Sequence, residues 1–280
     1  MKGDRVYFVG NPDALRCEQL RKVILESRDP SVINQAIHSA PDRILGVRFL
    51  GDPDQTGAIR RRPGQTLSIR IQGPDQAMHH ARLLRAPDLA ARLEQPVRQP
   101  EDAILPASMG ITVDLVETID RSEGSLLREI LDYYLHNESL RVPIEPFHTL
   151  LTSLFHRRET DLWVLNRCSS DRILHVDPEL LVHEIPPGGK PREPLQRIDP
   201  GTGKIQDLGR EPPSVTHWKA LPDRHPGCLA CRQFSICRGW ALFEKDSCAT
   251  WLGLLDGIQE AVRALRDLKT RAGRFPTPAP

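Results

Sequence analysis

The sequence predicts an α/β protein in which parallel strands alternate with helices, followed by a cysteine-rich segment and a C-terminal helix. Short apolar runs typical of buried strands alternate with segments of helical periodicity from residue 5 to about residue 156. This alternation favours βα units and a parallel sheet, but the units are too few for a complete eight-fold barrel. Beyond residue 156 the alternation ends, so we expect two domains, 1–156 and 157–280.

The N-terminal half supplies the strands of the expected sheet. The predicted strands are 5–10, 43–53, 65–73, 111–117 and 140–146. The predicted helices are 14–27, 75–93, 125–137 and 147–157. The first helix carries Cys17, which is interpreted as a small buried apolar residue. The second carries His79 and His80, which point to different faces of a helix and are not expected to bind one metal together. Three prolines within 93–110 indicate a loop or linker.

The C-terminal half contains fewer regular elements. Residues 172–185 predict a β-hairpin with His175 and His183 on one side, where they are interpreted as surface histidines. A loop-rich stretch follows over 186–204. Residues 251–271 predict an amphipathic helix whose apolar stripe is interpreted as core of the same chain. The stripe consists of Leu252, Leu255, Ile258, Val262 and Leu265.

Charge and hydropathy exclude two classes of partner. The 38 Lys and Arg residues balance 37 Asp and Glu residues, which leaves a net charge of +1 and no field that would attract nucleic acid or an anionic membrane. No run of eighteen apolar residues occurs that could form a membrane-spanning helix. The first residues show no apolar stretch followed by a cleavage site, so the expected location is the cytoplasm.

The cysteines are the strongest chemical signal in the sequence. Four of the six lie in one segment with the pattern Cys228-x2-Cys231-x5-Cys237-x10-Cys248. Four thiolates that converge on one centre suit a tetrahedral zinc ion or a four-iron cluster. The single C-x2-C unit and the long later gaps are loose for structural zinc, although His225 could substitute for one ligand. Free thiols are the weakest interpretation, because free cysteines are normally dispersed.

The same segment carries a resemblance to a known family. "PGCLACRQFSICRGW", followed by "DSC", resembles the C-terminal SPASM domain of radical-SAM peptide-modifying enzymes. That domain has the pattern C-x2-C-x5-C-x3-C and then a later cysteine. Upstream, "CSSDRILHVDPELLVHEI" is similar to the family's first auxiliary segment, and "GKIQDLGREPPSVTHW" to the stretch before the C-x2-C unit. The likeness covers about residues 147–251.

The resemblance implies one auxiliary four-iron, four-sulfur cluster. Its ligands would be Cys228, Cys231, Cys237 and Cys248. A second auxiliary cluster would need further cysteines, and Ile185 and Ala241 stand at two of the positions where the family has them. Cys168 is therefore interpreted as a relic or a buried thiol.

A second departure concerns the N-terminal region. Radical-SAM enzymes hold their catalytic cluster with C-x3-C-x2-C after the first strand, and this chain has only Cys17 there. "VRFLGDP" weakly echoes the family's Gly-Gly-Glu-Pro strand end, with Asp52 before the proline. The resemblance thus implies a shortened (β/α) barrel over 1–156 and a SPASM-like lobe over 157–280, in a "pseudo" member that does not cleave SAM by itself.

Three functions remain open from the sequence. The leading hypothesis is an accessory or partner subunit beside a radical-SAM-type modifying enzyme and its peptide or protein substrate, in which the cluster relays electrons, holds substrate or acts as a structural staple. The second is a zinc-stapled protein-interaction scaffold. The third is a stand-alone modifying enzyme of unknown reaction, although no G-x-S-x-G, H-E-x-x-H or Walker motif occurs.

Overall fold

The computed structural model shows a mixed α/β chain built on one large sheet. It describes residues 5–60, 62, 65–70, 79–80, 92–94, 97–115, 124–140, 142–165, 173–185, 193–243 and 248–272. The strands are β1 (Val6–Val9), β2 (Val23–Ser27), β3 (Ile44–Phe49), β4 (Thr66–Arg70), β5 (Arg92–Glu94), β6 (Thr112–Asp114), β7 (Ile144–Glu145), β8 (Ile173–Val176), β9 (Leu181–His183), β10 (Gln196–Ile198) and β11 (Ile205–Asp207). The predicted α/β class is confirmed.

The sheet is parallel over most of its width. Its order is β11-β10-β9-β8-β1-β2-β3-β4-β5-β6-β7. From β1 to β7 each strand is parallel to the next in the chain, and β8 joins the other side of β1, also in parallel. Antiparallel pairing then adds β9, β10 and β11. Each of the five strands predicted in the N-terminal half is present within its expected limits.

The α-helices in the described residues lie between or after these strands. They are α1 (Pro30–Ser39), α2 (Pro100–Ser108), α3 (Gly124–His136), α4 (Phe147–Phe155), α5 (Leu162–Leu165), α6 (Pro213–Arg224), α7 (Phe234–Cys237), α8 (Trp240–Phe243) and α9 (Cys248–Ala272). Helices α3, α4 and α9 confirm the predictions at 125–137, 147–157 and 251–271. None of the described helices combines the length and hydropathy needed to cross a membrane.

The helix predicted at 14–27 is wrong. A short 3-10 helix covers Pro12–Arg16, Cys17 ends it, and β2 follows at Val23–Ser27. Of the apolar residues that suggested one helical face, Val23 and Ile24 belong to β2, which lies between β1 and β3, whereas Leu15 lies in the 3-10 helix and Leu20 in the connection. The β-branched Val23 and Ile24 fit the pleated surface, and pairing of β2 on both edges outweighs weak helical periodicity.

The loop predicted at 93–110 is also wrong over most of its length. Helix α2 begins at Pro100, a position where proline's missing N–H costs no hydrogen bond. The Asp102 carboxylate accepts hydrogen bonds from the backbone N–H groups of Arg98 and Gln99, at 2.9 and 3.2 Å, and so caps the helix start. The helix predicted at 75–93 is wrong at its end, where β5 begins at Arg92. Its other residues, apart from His79 and His80, lie outside the described residues.

The predicted hairpin at 172–185 is confirmed as β8 and β9, but its histidines are not both on the surface. His175 pairs directly with His183 across the strands, so the two do share one side. His183 is buried and its Nε2 lies 2.9 Å from Asp177 Oδ2, while the His175 ring stacks on Phe8 at 4.9 Å between centroids. The reason for the contact of His175 is that β8 pairs with β1, which places Phe8 directly beside it.

One hydrophobic core joins the two halves of the chain. Its buried side chains run from Tyr7 in β1 to Val262 in α9, and α9 packs against α3 and α4. The guanidinium of Arg266 donates hydrogen bonds to the carbonyls of Leu154 and Phe155 at the end of α4. Leu255, Ile258 and Val262 of the predicted stripe are therefore core, whereas Leu252 is half-buried and Leu265 is exposed. The division at residue 156 stays a prediction.

Replacing Leu254 by alanine tests the docking of α9. Leu254 is 1% exposed and Leu268, on the same helix, is 60% exposed. We expect Leu254→Ala to lower the free energy of unfolding by about 2–5 kcal/mol, because it removes buried methyl groups and leaves a cavity. Leu268→Ala, the matched control, should change it by less than about 0.5 kcal/mol. Urea titration of both variants measures this, and equal small effects would contradict the packing of α9 on α3 and α4.

Candidate metal centre

Four cysteines line one small cavity where tight turns meet the start of α9. Cys228 ends a 3-10 helix at Pro226–Cys228, Cys231 follows the next turn, Cys237 ends α7, and Cys248 begins α9. The walls between the thiols are apolar side chains of Phe234, Leu242, Trp251, Leu252 and Leu255. The structure thus brings together all four cysteines that the sequence predicts as ligands.

Consecutive backbone hydrogen bonds bend the chain around this cavity. The N–H of Cys231 donates to the carbonyl of Cys228 at 3.0 Å, and the N–H of Phe234 donates to the carbonyl of Cys231 at 3.0 Å. The N–H of Cys237 donates to the carbonyl of Gln233 at 2.8 Å. Each turn reverses the chain within a few residues, which is why cysteines spaced at x2 and x5 can face one centre.

Burial favours the protonated form of three of the four thiols. Burial is the main cause that raises the pKa of Cys228, Cys237 and Cys248, and neighbouring cysteine sulfurs add to the effect at each. The two causes act in the same direction because both disfavour a thiolate that has no cation beside it. A metal would supply that cation, and its binding would release protons from these groups.

Backbone amides are directed at one of the four sulfurs. The sulfur of Cys237 accepts hydrogen bonds from the backbone N–H groups of Gly239 and Ala241, which favour its thiolate form. Arg238 and Gly239 make this possible by adopting left-handed conformations, with φ of 48° and 74°. Ala241, where the resembling family has a further cysteine, therefore contributes its amide to a neighbouring ligand.

The left-handed turn is clamped by residues that lie far away in the sequence. His217 Nε2 donates to the carbonyl of Gly239 at 3.0 Å, and Trp163 Nε1 donates to the carbonyl of Arg238 at 3.1 Å. The Arg238 guanidinium also pairs with the buried carboxylate of Asp161 at 3.2 Å. Burial lowers the pKa of His217, in keeping with a neutral ring that donates through Nε2. No motif in the sequence marks these clamping residues.

A polar network ties the cysteine turns to α9. Gln233 is completely buried, and its Nε2 donates to Asp256 Oδ1 at 2.6 Å. Gln259 Nε2 donates in return to Gln233 Oε1 at 2.9 Å, and Arg232 forms an ion pair with Asp256. A buried amide is stable only when its polar atoms are bonded, so this network fixes the register between the turns and the helix.

The remaining candidate residues lie elsewhere. Cys17 is fully buried in the core, as expected, and its carbonyl accepts a hydrogen bond from Arg43. Cys168 lies outside the described residues. His225, the alternative zinc ligand, ends α6 and lines a neighbouring pocket; it is not among the residues that line the cysteine cavity.

That neighbouring pocket has a volume of about 460 Å³ and adjoins the cysteine cavity. Leu242 lines both spaces, and His217 reaches from the pocket to Gly239 at the cavity. Its ionisable lining consists of Glu193, Arg210, Glu211, His217, Arg224 and His225. A volume of this size accommodates a small molecule or a few residues of a peptide.

Comparison of the chain with models of protein families and with curated proteins gave no match in either case.

Replacing Gly239 by alanine tests the turn that supports Cys237. At φ +74° a side chain is strained, and a Cβ atom there would lie 2.9 Å from two methyl carbons of Leu221. We expect Gly239→Ala to lower the free energy of unfolding by at least about 1–2 kcal/mol and to reduce metal retention, since the amide that bonds the sulfur must move. Gly227→Ala is the matched control, because a Cβ at Gly227 meets nothing within 4 Å. Urea unfolding and metal analysis of both variants give the result, and indistinguishable variants would contradict the role of the turn.

Proposed function

We propose that this chain is an iron–sulfur protein that carries one four-iron, four-sulfur cluster on Cys228, Cys231, Cys237 and Cys248. The observation that carries the proposal is the convergence of these four thiols on one apolar cavity, with backbone amides bonded to the Cys237 sulfur. Amides bonded to cysteine sulfur and an apolar surround are the features by which proteins tune such clusters. When bound, the cluster would supply one-electron transfer.

The sequence spacing of the cysteines supports a cluster over a single zinc ion. The segment has only one C-x2-C unit, and the gaps of five and ten residues before Cys237 and Cys248 are loose for a structural zinc site. A four-iron cluster binds each of its four cysteines at a different iron.

The buried indole N–H of Trp251, beside the cysteine cavity, is consistent with a hydrogen-bond acceptor inside that cavity. Trp251 lines the cavity, is buried, and packs edge-on against Trp240 at 5.1 Å between ring centroids. Its indole N–H has no acceptor within the described part of the chain. Buried N–H groups normally find an acceptor, and a cluster or cysteine sulfur would provide one.

We further propose that the protein acts as an accessory or partner subunit in radical-SAM-type modification of a peptide or protein. Seven strands that lie side by side in chain order, all parallel, are the arrangement expected of a shortened (β/α) barrel. Cys17, the one cysteine near the first strand, is fully buried in the core and unsuited to hold a catalytic cluster. The pocket that shares Leu242 with the cysteine cavity offers a place to hold substrate.

Metal and sulfide analysis of protein purified without oxygen tests the cluster. We expect about four irons and four sulfides per chain, with a broad absorption band at about 400 nm. Cys231→Ala should lose both, whereas Cys17→Ala should keep them because Cys17 lies in the core. One zinc per chain with no sulfide would overturn the cluster and leave a zinc-stapled scaffold.

Reduction with dithionite separates an electron relay from a structural staple. A relay cluster should bleach on reduction and recover its absorption on anaerobic reoxidation, through several cycles and without loss of iron. A staple would show no reversible change, or would lose iron when reduced. Cys231→Ala serves as the control for absorption unrelated to the cluster.

A further inference from the structure

We propose that Asp54, His79 and His80 form a second metal site, separate from the cysteine centre, that binds one divalent transition-metal ion of the zinc type. One carboxylate and two imidazoles suit ions such as Zn²⁺, Co²⁺ and Fe²⁺. Three protein ligands leave at least one position for water or another ligand, as in reactive zinc sites. This inference is independent of the cysteine centre, since it shares no residue with it.

The position of the three residues follows from the parallel sheet. Asp54 lies in a 3-10 helix, Pro53–Ala58, that begins four residues after β3 ends. His79 and His80 follow β4 in the chain, and β4 is the parallel neighbour of β3. Contact with Asp54 places both histidines at the carboxyl edge of these two strands. That edge is where open α/β sheets bind their ligands.

The carboxylate is held on a firm backbone. The Asp52 side chain caps the 3-10 helix by accepting a hydrogen bond from the N–H of Asp54 at 3.0 Å. Thr56 is buried and its hydroxyl donates to the carbonyl of Pro53 at 2.7 Å. These two hydrogen bonds fix the first turn of the helix that carries Asp54, which orients its carboxylate before any metal arrives.

The ligand atoms converge more closely than at any other described set of such residues. One ligand atom from each of the three lies within 4.8 Å of the others, and His80 Nδ1 lies 3.3 Å from Asp54 Oδ1. The two imidazole rings are nearly perpendicular, at 84°, with centroids 4.7 Å apart. His80 is 7% exposed, while the Asp54 side chain is 70% exposed. The site thus has a buried wall and an open side that solvent can reach.

This geometry corrects the expectation that His79 and His80 cannot bind a metal together. The expectation rested on both residues lying in one helix, where neighbours diverge. His79 is helical, but His80 lies in a turn, so helical spacing does not apply to the pair. A simple ion pair between His80 and Asp54 would not need the exposed ring of His79 at the same point. The convergence of the third ligand is what favours a metal.

Titration of the full chain as purified, with the metal that its cysteines retain left in place, tests this site with Co²⁺ as the probe. We expect one equivalent to bind with visible d–d absorption and without the near-ultraviolet charge-transfer band that cobalt gives on cysteine sulfur. Displacement by Zn²⁺ should abolish the absorption. Binding that shows the sulfur band, or no binding, would overturn the proposal.

Matched variants assign the ligands. Asp54→Asn and His80→Ala should each weaken Co²⁺ binding at least about tenfold, because each removes one of three ligands. Asp42→Asn and His38→Ala, which alter exposed residues, should bind as the unchanged protein does. Cys231→Ala should also retain the site, even if it loses the cluster. Since Asp54 is exposed, Asp54→Asn stays informative should His80→Ala fail to fold, and unchanged affinity in Asp54→Asn would contradict the assignment.

Discussion

Burial of the apolar face of α9 against α3 and α4 is the interaction on which the cysteine centre depends. Three of the thiols come from one ten-residue segment and can converge through local turns. Cys248 is different, because it is the first residue of α9 and its place is set by where that helix docks. Leu254 and Ile258 are buried in the common core, so the fourth thiol is positioned by hydrophobic packing between sequence-distant parts. Metal binding at the proposed cluster site would therefore be linked to the packing of α9, because a change that loosens the helix would also displace Cys248.

Polar contacts then refine what the packing assembles. The Gln233 side chain forms hydrogen bonds with Asp256 and Gln259 on α9, which fixes the position of the cysteine turns along the axis of that helix. On the other side, His217 and Trp163 hold the carbonyls of the left-handed turn, so that two amides face the Cys237 sulfur. Hydrogen bonds to a ligand sulfur stabilise its negative charge, and in an iron–sulfur cluster they favour the reduced form.

The sequence predicted the local structure correctly where one signal dominated. Continuous apolar runs predicted most parallel strands, helical periodicity predicted α3, α4 and α9, and cysteine spacing predicted the set that lines one cavity. It failed where two signals competed. In 14–27 a helical stripe and β-branched residues coincide, and only pairing with β1 and β3 decides for a strand. In 93–110 prolines suggested a loop, yet Pro100 occupies the first turn of α2, where proline is tolerated.

The residues that support the cysteine centre, and the residues of the Asp54 site, could not be predicted from the sequence for a different reason. The role of His217 depends on a carbonyl made accessible by a left-handed turn 22 residues away. The Asp54 site depends on two strands lying side by side and on a turn at His80 that periodicity alone does not reveal. Neither has a fixed spacing that a pattern could capture.

Exposure at the cysteine centre bears on what a cluster there would do. A staple needs only to be enclosed, whereas a relay must lie close enough to the surface for an electron to reach a partner. Cys228, Cys231, Cys237 and Cys248 are all only partly buried, and Leu229, between the first two, is 56% exposed. The Cys237 sulfur also receives hydrogen bonds from the backbone amides of Gly239 and Ala241. In the proposed cluster, partial exposure of the ligands would suit electron transfer to a docked partner better than a purely structural role.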